Sequence, residues 1–391
     1  MLHAGGTVVE RDRMLIRVCE PTIGELEKEY VLRCLDNNWL SSIAPIVRQF
    51  ERQFAEYIGV KHAISVCSGG AALFLSLKVL AEDTSCGEVI MPTFTMVATA
   101  NMVREAGFDP VFVDSEWDTG NINPELIEGK ITPKTRAILP VHIYGHPCDM
   151  DSIMEIARKH NLYVIEDAAE AHGAEYESKK CGSIGDFGCF SFYANKIITT
   201  GNGGMITTNN DDWADKIRRM KMYYFSDESH FWHERIGYAL EMAALQAAVG
   251  MAQLEKIDSL VGSRRRNAEF YMGELYGLPV EFPVERERCK CAYWMFGLRV
   301  RDRATRDALM KYLEERGIET RTFFFPMHWQ PLYKEDGHYP VADKLGERGL
   351  YLPSSSHLSD EAKKYVCGAI REHFRVAART GRRMEAADLQ L

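Results

Sequence analysis

The amino-acid sequence predicts an α/β fold, a mostly parallel sheet flanked by helices, with a smaller α+β domain at its C-terminal end. Three observations carry that prediction. Short apolar runs alternate with helical patterns from 60 to about 208, as expected of strands buried on both faces. Beyond about 264 the order changes to strand, helix and strand. A length of 391 residues suffices for one large domain and one smaller one.

Taken in order, 62–67 (HAISVC) reads as a strand and 71–80 as an apolar helix. The stretch 88–91 is a short strand, about 95–105 a helix, and 110–114 (PVFVD) and 136–141 (RAILPV) are strands again. A helix over 150–160 leads into the strand 162–167 (LYVIED), which ends on two carboxylates. Strands over 188–193 and 203–208 bracket Lys196, and a helix follows over 212–222. Helical periodicity over 241–260 suggests a link to the second domain, with strands at 293–299 and 318–325 around a helix at 304–316. The expected limits are 16–262 for the large domain and 263–376 for the small one, with tails at 1–15 and 377–391. The final helix carries Arg371, Arg375, Arg379 and Arg383 at i,i+4 spacing. This reads as a solvated basic face.

Composition excludes several classes. The net charge of -9 argues against nucleic acid as a partner. No run of 18 apolar residues exists, so no membrane span is expected. The opening MLHAGGTVVERDRM lacks a basic segment followed by an apolar one, so a secretory signal is not expected either. Ten cysteines scattered without a paired framework fit a cytoplasmic protein with reduced thiols.

Three segments carry chemistry. Cys67-Ser68-Gly69-Gly70-Ala71 is a glycine turn between strand and helix, where backbone N–H groups suit a phosphate. Asp167 and Glu170 follow an apolar strand, and ligands of open α/β sheets sit at such carboxyl ends. A carboxylate there either keeps a pyridine nitrogen protonated or serves as a helix cap or a buried ion pair. The third segment runs from Ser191 to Met205, with Lys196 alone in an uncharged, aromatic-rich stretch. Desolvation lowers the pKa of such a lysine, as a Schiff-base nucleophile requires. A solvent-facing turn lysine is the bland alternative, and the lack of other charge nearby counts against it.

The Asp167-to-Lys196 spacing, the S-F-x-x-x-K run from Ser191 and the following G-x-G-G-M resemble the DegT/StrS-type sugar aminotransferases. The likeness extends from about Ile16 to Phe374 and includes N-W-L-S-S from Asn38, P-T-F-T from Pro92, H-I-Y-G from His142 and R-T-F-F-F-P-M-H from Arg321. Within that family, F-S-F-Y-x-N-K-x-I-T-T-G, F-W-H before Gly237-Tyr238, and R-x-F-F-x-P are most similar to members that aminate carbon 4 of GDP-4-keto-6-deoxymannose, with L-glutamate as donor. The resemblance implies the type I fold of enzymes that use pyridoxal 5'-phosphate (PLP), and a homodimer with shared active sites. It implies that Lys196 bonds the cofactor and shuttles the proton, and that Asp167 pairs with the pyridine nitrogen. Glu170 and Met96 would lie over the ring faces, and Ser191 with Gly70 and Ala71 would hold the phosphate. Trp39, Tyr144 and His328 are the implied substrate contacts.

The chain also departs from that pattern. Gly70 stands where the family usually has Thr, Met96 where an aromatic commonly stacks, and Asn202 where an acid is usual. Ala239 and Glu241 stand where N-x-R-M is typical, and Ala44-Pro45 where a glycine is usual. Each change removes a secondary contact while Lys196 and Asp167 remain, so an active but divergent enzyme is expected. The cluster His142, His146 and Cys148 is read as a strand-end loop, since no second ligand pair follows at zinc spacing. Cys289-Lys290-Cys291 is too close for a zinc knuckle. Competing readings are a non-catalytic regulatory protein of the same fold, or an aminotransferase acting on a UDP- or dTDP-linked sugar. A related 3-dehydratase would carry histidine in place of Lys196. A Rossmann oxidoreductase lacks its G-x-G-x-x-G here.

Overall fold

The computed structural model describes residues 15–388, apart from 85, 227, 228, 230 and 234, with side chains through 376. Two amphipathic helices, α1 (Glu25–Asp36) and α2 (Pro45–Ile58), precede the sheet and were not anticipated from the sequence. Their bounds follow local rules. Glu27 reaches back to accept a hydrogen bond from Gly24 N at 2.8 Å, capping α1. Pro45 opens α2 where its missing N–H costs nothing, and Gly59 closes it in the left-handed conformation at φ 82°.

The sheet then builds up with alternating helices: β1 (His62–Val66), α3 (Gly69–Thr84), β2 (Glu88–Pro92), α4 (Val97–Glu105), β3 (Asp109–Val113), β4 (Thr135–Ile138), α5 (Met150–His160) and β5 (Tyr163–Asp167). A short hairpin of β6 (Glu175–Tyr176) and β7 (Lys179–Lys180) follows, then β8 (Phe187–Ser191), β9 (Gly204–Thr208) and α6 (Asp211–Met220). The seven-stranded sheet runs β1-β9-β8-β5-β4-β2-β3. β9 alone is antiparallel to its neighbours, so the expectation of a mostly parallel sheet agrees with the register. Helix caps match their residue types: Asp149 accepts from Ser152 N, Asn210 from Trp213 N.

The expected helix over 241–260 is two helices, α7 (Ala244–Glu255) and α8 (Ile257–Glu274). Beyond them come β10 (Cys289–Lys290), which pairs with β6, then β11 (Gly297–Arg299), α9 (Arg303–Glu314), β12 (Arg321–Thr322), α10 (Pro340–Arg348), β13 (Gly349–Tyr351) and α11 (Asp360–Asp388). β11, β13 and β12 form a small antiparallel sheet. Its core gathers Tyr271, Phe296, Leu298, Leu309, Leu313 and Ile370, separate from the main core around Phe50, Phe54, Phe190 and Phe192. The expected strand 318–325 is reduced to two residues because Phe323 and Phe324 leave the sheet to pack on Phe94 and Tyr144. On the final helix, Arg371 pairs with Glu274 at 2.7 Å, and the side chains of Arg379 and Arg383 lie outside the described residues.

Two buried histidines give the fold a pH dependence. Burial pushes His146 down to about 4 and His172 to about 3, from an ordinary 6.5. Both folded values lie below the unfolded one, so acid protonates the unfolded chain first and stability falls as pH drops below about 6.5. Each imidazole is expected to cost roughly 3 kcal/mol by pH 4. Denaturant melts between pH 7 and 4.5 check this: a His146→Asn variant should show a shallower slope, and an unchanged slope would mean His146 is not held neutral.

Candidate active site

Strand ends and one helix start place the chemistry-bearing groups. Asp167 closes β5 at the carboxyl edge of the sheet and is 4% exposed. Its carboxylate accepts hydrogen bonds from Thr99 Oγ1 at 2.8 Å and from Ala169 N at 3.1 Å. Burial raises its pKa, while Thr99, Ala169 and the charge of Lys196 pull it back. No cation bonds to it directly among the described residues, so the site holds a buried carboxylate that still calls for one.

Lys196 follows the turn after β8, with its N–H donating to Tyr193 O at 2.9 Å. Its side chain is 11% exposed, and Nζ stands 3.8 Å from Glu170 Oε1 and 3.8 Å from the centroid of the Trp294 ring. Burial lowers the lysine and raises Glu170, each partly offset by the other's charge. Glu170 Oε2 accepts from Tyr144 N at 2.8 Å, which fixes the carboxylate beside the amine. An amine lowered by burial is a better nucleophile at neutral pH than an exposed lysine.

The glycine turn forms a cradle. Gly69 opens α3 so near β8 that a Cβ there would lie 2.6 Å from Ser191 Cβ, which only glycine avoids. Ser191 Oγ therefore sits against the first turn of α3, where N–H groups and the helix dipole favour an anion. Ala71 N donates to Ser68 Oγ at 3.1 Å. Gly70, by contrast, has room: its nearest side-chain neighbour is Met102 Sδ at 3.7 Å from an added Cβ. A Gly70→Thr substitution should therefore fit and supply one hydroxyl to the phosphate. PLP is expected to bind roughly five- to tenfold tighter to that variant, measured by titrating cofactor-free protein. Unchanged affinity would place the phosphate away from this turn.

The remaining expected residues are placed as follows. Met96 is exposed at the start of α4, its Sδ accepting from Ala98 N at 3.0 Å. Tyr144 adopts φ 52° and stacks among Phe323, Phe324, Trp294 and Tyr351, its hydroxyl accepting from Phe324 N. His328 ties the segment after β2 to α10. One ring nitrogen meets Thr93 Oγ1 and the other Asp343 Oδ1, both at 2.8 Å, so neither is free for a sugar in this arrangement. Trp39 lies half-buried against the main core on the loop between α1 and α2. Glu241 turns to Ser42, whose hydroxyl donates to it at 2.5 Å, and Ala239 is exposed.

The His142, His146 and Cys148 cluster is taken up internally. His142 donates to Glu166 and accepts from Cys148 N, while His146 is held by Pro147 O and Arg286 N. No group of three ligands suited to a metal occurs among the described residues. Two site residues, Thr99 and Trp294, were missed from the sequence, since nothing local marks an ordinary threonine on α4 or a tryptophan 98 positions beyond the lysine.

A buried carboxylate at a strand end, a buried lysine without a hydrogen bond at Nζ among the described residues, and a helix start suited to an anion beside them fit what PLP requires. When bound, PLP supplies an electron sink that labilises bonds at the amino-bearing carbon. The DegT/DnrJ/EryC1/StrS aminotransferase family model matches residues 21–371. The chain is 41% identical over 360 residues to GDP-perosamine synthase of Escherichia coli O157:H7, covering 92% of this chain and 98% of that one. It is 43% identical over 361 residues to GDP-perosamine synthase of Caulobacter vibrioides, covering 91% and 97%. The PLP form of a putative sugar aminotransferase from Streptococcus pneumoniae superposes with a TM-score of 0.87 at 26% identity, covering 92% of this chain and 99% of that one. The chain belongs to the DegT/DnrJ/EryC1/StrS aminotransferase family, and it is a PLP-dependent sugar aminotransferase.

Proposed function

We propose that this enzyme transfers an amino group from L-glutamate to carbon 4 of a GDP-linked 4-keto-6-deoxy sugar, for amino-sugar and glycan biosynthesis. The observation that supports the substrate is identity of about two residues in five, over nearly full length, to GDP-perosamine synthases. The chain's own residues divide the work. Lys196 Nζ would take a proton from one carbon and return it to another; Asp167 would keep the ring nitrogen protonated; Gly70, Ala71 and Ser191 would hold the phosphate. Trp39 and Tyr144 are the sugar contacts of this reading, with Tyr144 joined to Glu170 through its backbone, while His328, whose ring nitrogens are both taken up by Thr93 and Asp343, is left out of it. Active sites shared within a homodimer are part of the same proposal. Leu40 and Ile43 support it, exposing apolar surface beside the segment of Glu241 and Ala244.

The test is a panel of GDP-, UDP- and dTDP-linked 4-keto-6-deoxy sugars with L-glutamate, followed by product analysis. Turnover confined to the GDP-linked substrate is expected; preference for another nucleotide overturns that part of the reading. A second reading, a regulatory protein of the same fold, is favoured by Gly70, Ala239 and Glu241 and by 34% identity to a pleiotropic regulatory protein of Geobacillus stearothermophilus. Absorbance separates the two, because a non-catalytic protein without bound cofactor is colourless.

A further inference from the structure

Trp294 meets Lys196 twice. Its indole N–H donates to Asn195 O at 2.7 Å, pinning the peptide just before the lysine, and its ring face lies 3.8 Å below Nζ. The tryptophan is itself fixed: it is 3% exposed, its carbonyl accepts from Arg264 Nη1 at 2.9 Å, and Ala292 N donates to Gly145 O two residues earlier. Cys19 Sγ, on the N-terminal segment, donates to the same Asn195 carbonyl at 3.2 Å. The backbone of Lys196 is thus held from two other elements.

The side chain is held differently. Nζ has no hydrogen bond among the described residues, and Glu170 at 3.8 Å is an ion pair beyond hydrogen-bond reach. The titratable groups facing the amine are Glu170 and Asp167 from the β5 end and Cys19 from the N-terminal segment; His172, neutral by burial, lies near it too. A buried ammonium without an acceptor is costly. An indole face directly beneath it offsets part of that cost, since the ring quadrupole attracts a desolvated cation. Such a hold is non-directional: it keeps the ammonium in place without the fixed geometry of a close carboxylate pair.

We propose that Trp294 is a positioning residue that holds the Lys196 ammonium whenever the lysine is not bonded to the cofactor. The consequence for turnover rests on the transaminase reading; the hold itself does not. A lysine that alternates between bonding the cofactor and carrying a proton needs a place for its charged form near the reacting carbon, and the Trp294 face supplies it.

The test compares Trp294→Leu and Trp294→Phe with the parent enzyme held in excess L-glutamate, so that Lys196 is free. Acetylation of Lys196 by acetic anhydride is followed against pH by peptide mass spectrometry. Leucine keeps the site apolar but removes the π face, so the midpoint of the labelling profile should move about one pH unit lower. Phenylalanine, with a weaker face, should move it by roughly half as much. kcat should fall in the same order, about tenfold for leucine, with KM for the sugar unchanged. A midpoint that stays put in both variants overturns the proposal, even if activity falls. Should the leucine variant fail to fold, the phenylalanine profile decides alone by the same criterion. If borohydride shows that PLP never bonds Lys196, the transaminase reading fails, while the labelling midpoint still reports on the hold.

Discussion

Lys196→Ala should reduce turnover by on the order of 10^4-fold or more, to the level of background. Among the described residues no other lysine stands beside it to take over: the neighbours of Nζ include Glu170, Asp167, Cys19 and Trp294, none of which carries an amine. The residue is buried without a hydrogen bond at Nζ among the described residues, so its removal leaves no acceptor stranded there, and the fold should survive. Glu170 loses the charge that partly offsets its burial, and its carboxyl should protonate rather than unfold the site. In the parent enzyme, borohydride reduction should attach PLP to the Lys196 peptide and to no other, read by peptide mass spectrometry. The alanine variant should still take up PLP non-covalently through Ser191 and the α3 turn. Label on another peptide, or activity within tenfold of the parent, would refute the assignment.

Asp167→Asn should lower kcat roughly a thousandfold or more, equivalent to about 4 kcal/mol in the barrier. Asparagine keeps the size and can still accept from Thr99 or from Ala169 N, so the end of β5 should keep its shape. What it loses is the negative charge, without which the ring nitrogen gives up its proton and the electron sink weakens. Asp167 is buried, its pKa raised by desolvation, with no cation bonded to it among the described residues, an arrangement that is costly unless a cationic ligand completes it. The check is steady-state kinetics alongside a PLP titration: kcat should collapse while cofactor affinity weakens less. A near-normal kcat would reduce Asp167 to a structural role.

The strand–helix alternation was legible because most strands of the sheet are buried over nearly their whole length and spell out mainly apolar runs, as LYVIED and HAISVC do. Lys196 was legible for a related reason, since a lone charge among apolar residues is informative in one dimension. The start of α2 at Pro45 and its end at Gly59 obey rules that sequence reading could have applied, yet both N-terminal helices escaped it. α1 buries only Glu27 and Cys34, and the polar face of α2 is rich in charge, with Arg48, Glu51 and Arg52.

What the sequence determined by itself was therefore the α/β class, the lysine, the carboxylate at the end of β5 and the turn at the start of α3. Each of these is a short stretch whose chemistry depends on its immediate neighbours. Tertiary structure decided the rest. Thr99 reaches Asp167 across 68 positions, Trp294 reaches Lys196 across 98, and His328 spends both ring nitrogens on Thr93 and Asp343 rather than leaving one for substrate. Glu241 accepts from Ser42 across 199 positions. A side chain's partner depends on which elements meet once the chain has folded. Hydrogen bonds and ring contacts over such distances leave no periodicity or spacing in the chain by which they can be read.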